Sequence, residues 1–126
     1  MNLPTPGMPA TPVEHVKKAD ANKDFGYGMN AAHPTSAGWA LTAMFYSALH
    51  YARAYLLKTH VQTDSHGDLF DAIKFDPKLK GIYAQYRHLF DYGINARYRL
   101  NVYGRADVEK AKPSLEFIEH HIKKLL

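Results

Sequence analysis

The chain has 126 residues and no cysteine, so disulfides and thiolate chemistry are excluded, and a zinc ion would have to be held by histidine and carboxylate alone. That length suits a single domain with one hydrophobic core. The net charge of +4 is mildly basic, which moves the balance only slightly toward nucleic acid.

Residues 1–11 are proline-rich and carry no basic, apolar signal pattern, so they read as a disordered lead-in to one domain over 12–126. Together with the missing cysteines this fits a cytoplasmic setting. Thr11, Pro12 and Glu14 combine an N-cap hydroxyl, a proline at the first helical position and a glutamate three residues after the cap. A first helix is expected from Pro12, turning Val13, Val16, Ala19 and Phe25 inward and ending by Gly26 or Gly28. Met29 to Thr35 reads as a loop, with Thr35 or Ser36 capping the next helix.

The run from Ala37 to Leu57 is rich in alanine and leucine, contains no proline, and predicts a long helix. On a helical wheel Leu41, Phe45, Ala48, Leu49, Ala52 and Leu56 share an apolar face, while Trp39, Ala43, Tyr46, His50, Arg53 and Leu57 share the opposite one. Ser47, His50 and Arg53 interrupt it too often for a membrane span. Ser65, His66, Gly67 and Asp68 look like the start of a short third helix with Leu69, Phe70 and Ile73 on its apolar side. Asp76-Pro77 predicts the cap of a fourth, with a stripe of Leu79, Tyr83, Tyr86, Phe90, Gly93 and, if the helix persists, an inward Arg97. Asn95 to Gly104 reads as a connection. From Arg105 to Leu126 the early acids and late bases match a helix dipole, and Pro113 should kink or restart that helix. The expected fold is all-α, an up-and-down four-helix bundle with one additional short helix.

Eight histidines are many for this length, yet none has helical metal-site spacing. His50, His60 and His66 would meet only if the loop folds back, with no acidic ligand near them, so neither metal nor cofactor is expected. Walker, Rossmann and G-x-S-x-G patterns are absent, and Ser47 on a helix bonds a carbonyl more readily than it acts as a nucleophile. Arg97, Tyr98, Arg99, Tyr103 and Arg105 form the most suggestive cluster, because arginine and tyrosine together suit a phosphate and a stacked base. A structural arginine with surface neighbours is the competing reading.

Trp39-Ala40, the run Phe45 to His50, Ser65-His66, Leu79 with Ile82-Tyr83 and Tyr86, Ala96-Arg97-Tyr98 and the closing amphipathic helix, in that order, resemble the small bacterial members of the HEPN superfamily. The resemblance covers roughly residues 13 to 126 and implies a helical bundle, usually a homodimer, of the kind found in toxin-antitoxin and defence systems. Many members are metal-independent RNases with four to six residues between an arginine and the histidine that follows it. Here Arg97 matches the arginine, and Val102, Tyr103 and Gly104 occupy the histidine positions.

The expectation is therefore a HEPN-like domain that binds RNA or a nucleotide. The candidate catalytic groups are His50, His66 and Arg97, and the candidate ligand-binding groups are Tyr46, Arg53, Arg97, Tyr98, Arg99 and Tyr103. A non-catalytic interaction module, such as an antitoxin or the partner subunit of a nucleotidyltransferase, is the alternative. An RNase with a relocated histidine is the third.

Overall fold

The computed structural model describes residues 10–98 and 101–126. Over these the chain is all-helical, with five α-helices: α1 (Pro12–Gly28), α2 (Pro34–Lys58), α3 (His66–Phe75), α4 (Tyr83–Tyr98) and α5 (Arg105–Leu125), and a 3-10 turn at Lys80–Ile82. Four are long and α3, with 10 residues, is short. Among the described residues no helix is long and apolar enough to cross a membrane. The lead-in expected over 1–11 falls largely outside the described residues, and Thr11 belongs to α1 as its cap.

Two starts follow local side-chain chemistry. Thr11 Oγ1 accepts from the Glu14 amide at 3.2 Å, and Ser65 Oγ accepts from the Asp68 amide at 3.1 Å, each satisfying one of the orphan donors of a first turn. Two other starts differ from expectation. The cap of α2 is His33, which makes no side-chain bond, because Pro34 already fits the first helical position with its fixed φ and missing N–H. Asp76-Pro77 opens a turn rather than a helix. Asp76 Oδ1 accepts from the amides of Lys78 at 2.7 Å and Leu79 at 3.2 Å, so the acceptor that would cap a helix is used by the turn, and α4 begins at Tyr83. Just beyond the end of α2, His60 has a left-handed φ of 64°, and the Val61 amide donates to Leu56 O at 2.8 Å.

Helix α2 is the central element. It packs against α1, α4 and α5, and is buried almost all round, including Leu41, Met44, Phe45, Tyr51, Ala52 and Leu56. Between Trp39 and Leu57 only the stripe of Trp39, Tyr46, His50, Arg53 and Leu57 stays open or partly open. Helix α1 comes close at Gly26, where a Cβ would lie 3.0 Å from Ala40 O, and Ser47 Oγ donates to Ala19 O on α1 at 2.7 Å. Ala19 is buried and Val16 partly so. Val13 and Phe25, expected inside, are exposed, since the close contact is made by Ala19 and Gly26 and α1 turns that side inward. Helix α5 places Val108, Ala111, Leu115, Ile118 and Ile122 on the core at spacings of three and four residues, the period of one helix face. At the other side of α2, Phe45, Phe70, Tyr86 and Phe90 form an edge-to-face cluster, with Phe70 and Phe90 centroids 4.6 Å apart.

Candidate functional site

The first turns of α2 and the last turn of α4 diverge around a cleft of about 430 Å3. Pro34, Thr35, Gly38, Trp39 and Thr42 line it from α2, and Ala96, Arg97 and Tyr98 from α4, with Asn101 and Val102 from the following connection. Gly38 and Ala96 face each other with little between them, since a Cβ on Gly38 would lie 3.9 Å from the Ala96 methyl. Because both facing residues are small, the larger side chains on either side stand open: Trp39 is 56 % exposed and Tyr98 66 %.

Helix α4 persists through Arg97, and this residue is exposed rather than inward. Gly93, one turn earlier, sits against Phe45, and the last turn runs past the end of the core. The guanidinium donates to the hydroxyls of Tyr46 and Tyr98, the latter at 2.6 Å. It also lies over both rings, with Cζ 5.2 Å and 4.7 Å from their centroids. These are neutral partners. Among the described residues no carboxylate pairs with it, so its charge is held in place and not cancelled. Thr35, in the first turn of α2, lines the cleft with its neighbour Pro34. The resulting wall offers one fixed cation, flat aromatic surface and neutral donors.

The other sequence candidates fall elsewhere. His50 turns to α1, where His15 and His50 share a hydrogen bond between their Nδ1 atoms at 2.9 Å with stacked rings. Burial, then the charges of His15, Arg53 and Lys18, lower its pKa to about 4, so it is neutral at pH 7. Arg53 lies on that same side, in the wall of a second, smaller cavity. His66 is exposed at the start of α3, its ring 5.8 Å from Phe45 and 5.6 Å from Phe90. Neither His50 nor His66 bonds Arg97. Tyr103 packs edge-on to Tyr92 at 5.3 Å, and its hydroxyl accepts from Asn101 at 3.3 Å. Arg99 lies outside the described residues. Arg97, Tyr46 and Tyr98 are thus brought together, and the two histidines, Arg53 and Tyr103 are not brought to them.

Trp39, Thr35, Thr42 and Asn101 were not among the sequence candidates. Trp39 shares the open stripe of α2 with Tyr46, so a large apolar residue on a half-polar face was the available signal. For Asn101 the sequence offered none. Among the described residues no three histidine, aspartate or glutamate side chains gather as a metal-binding group. No known protein family, curated protein or solved structure matches the chain.

Proposed function

We propose that the chain is a HEPN-like helical domain that binds RNA or a nucleotide in the cleft between Trp39, Arg97 and Tyr98. The observation that carries this reading is an exposed guanidinium with no carboxylate partner among the described residues, fixed by two tyrosines, next to two exposed aromatic rings. Arg97 meets the phosphate, and Trp39 or Tyr98 stacks on a base, a contact worth about 1–3 kcal/mol per base. The cleft volume lies within the roughly 300–1,000 Å3 of small-molecule sites, enough for one nucleotide at a time.

The donor set favours binding over cleavage. Its described lining contains arginine, tyrosine, tryptophan, threonine and asparagine, and none of these is a general base poised near neutral pH for attack by a 2′-hydroxyl. The toxin-antitoxin setting and the homodimer belong to the same proposal. Binding of a short single-stranded RNA and of a mononucleotide, measured at low and moderate salt, tests it: Arg97→Ala should weaken both about tenfold or more and flatten the salt dependence. Equal affinity in the variant would remove Arg97 from the site. Cleavage of the same RNA in EDTA would point instead to an RNase with a relocated histidine.

A second reading, a protein-interaction module, has its own support in a groove of about 450 Å3 beside the α1 start and the α5 end. It is lined by Pro12, Val13, Val16 and Leu126 with the stems of Lys17 and Lys58, and Val13 and Leu126 are both exposed.

A further inference from the structure

The second half of α2 carries a separate polar cluster, about 21 Å along the helix from Trp39. It surrounds a cavity of about 190 Å3 walled by His15 of α1, Arg53 of α2, and Gln62, Thr63 and Asp64 of the loop after α2. That is several times the roughly 30 Å3 one water occupies in the liquid. Among the described residues Arg53 Nε is buried without a hydrogen-bond partner, and no ion pair involves its guanidinium. A buried donor left unpaired is costly, and a planar guanidinium fork matches two oxygens of one oxyanion.

The histidine pair adds to this. At 2.9 Å between Nδ1 atoms, one ring donates and the other accepts. When the acceptor is neutral His15, its proton sits on Nε2, which makes a second donor in the same wall. Lys18 contributes positive charge from α1, while Glu14 acts on His15 in the opposite sense and Asp64 stands in the cavity wall. A metal cation is the poorer occupant, because Arg53 would repel it.

We propose that this cavity binds a small oxyanion, with the Arg53 guanidinium as its main contact and His15 and Thr63 as further donors. The site is independent of the Trp39 cleft. Asp64, in the cavity wall, weakens anion binding through its own negative charge.

The test is a titration of the full chain with inorganic phosphate, in parallel with acetate and with chloride at matched ionic strength, following the ring signals of His15 and His50 by NMR. Saturable shifts with phosphate are expected; saturation with acetate alone would make the ligand a carboxylate, within the same oxyanion class. Arg53→Gln should weaken binding about tenfold, Asp64→Asn should tighten it, and Arg97→Gln should leave it unchanged. Arg53→Lys, which keeps the charge but not the fork, is the second variant should Arg53→Gln fail to fold, and it too should bind more weakly. The proposal is overturned by non-saturable shifts in the wild type, by an equal response to chloride, or by unchanged affinity in either folded Arg53 variant.

Discussion

Gly93 stands where α4 meets α2, and a Cβ there would lie 2.8 Å from Phe45 Cβ and 2.9 Å from its ring. Alanine would gain up to about 1 kcal/mol in helix propensity, but forcing a methyl into this contact costs about 1–3 kcal/mol. Gly93→Ala should therefore lower stability by a net of up to about 2 kcal/mol, read as a lower urea midpoint; a raised midpoint would show that Phe45 has room to move. His50 gives a pH signature. Its folded pKa of about 4 lies below the ordinary 6.5, so the unfolded chain takes up a proton first as pH falls. The stability tied to the neutral ring is complete above pH 6.5, is lost between 6.5 and 4, and does not change further below that. For a half-buried ring, discounted for solvent, the loss is about 1–2 kcal/mol. His50→Gln should flatten the stability profile across that window, and an unaltered slope would assign the acid sensitivity elsewhere. At this scale the sequence showed His50 as a polar group on a buried helix. It did not show His15 as the partner, since their pairing depends on how α1 crosses α2.

At the scale of elements, α5 runs from Arg105 through Leu125 without a break, although Pro113 lies in its middle and was expected to kink or restart it. A proline there removes one helical bond and costs about 3 kcal/mol. Leu115, Ile118 and Ile122, fully buried, each contribute about 1.5–3 kcal/mol and hold the helix in register despite it. Since Pro113 is itself exposed, Pro113→Ala should raise stability by about 1–3 kcal/mol, read as a higher thermal midpoint. No gain, or a loss, would mean that Pro113 itself is needed for packing. Element starts were legible where the cap is local, as at Thr11 and Ser65. Asp76-Pro77 misled because one aspartate oxygen serves a turn as readily as a helix. The inner face of α1 was not legible either, because its apolar residues follow no single stripe and the contact is set by Ala19 and Gly26.

Across the whole molecule, one network ties three helices together. The Tyr51 hydroxyl donates to Asp20 and Glu119, and Glu119 also accepts from Lys23 at 2.7 Å and Lys123 at 2.9 Å. Burial would raise the Glu119 pKa, but these bonds outweigh it and hold the carboxyl at about 2. The all-helical character and the central helix were readable from α2, whose composition and length are unusual for an amphipathic surface helix. The site was readable only in part. Arg97 and Tyr98 stood out by type, and Tyr46 by its place on the half-polar stripe. That Arg97 would lie outside the core, and that Trp39 would be its neighbour across the cleft, depends on where α4 passes α2.

The central claim is that the Trp39, Arg97 and Tyr98 cleft takes up a nucleotide. Trp39 is the sole tryptophan of the chain, so its fluorescence reports on this cleft alone. Titration with a short single-stranded RNA should quench it saturably in the wild type, more strongly at low salt than at moderate salt, and much less in Arg97→Ala. Unchanged Trp39 emission in a folded wild-type chain at saturating RNA would contradict the account.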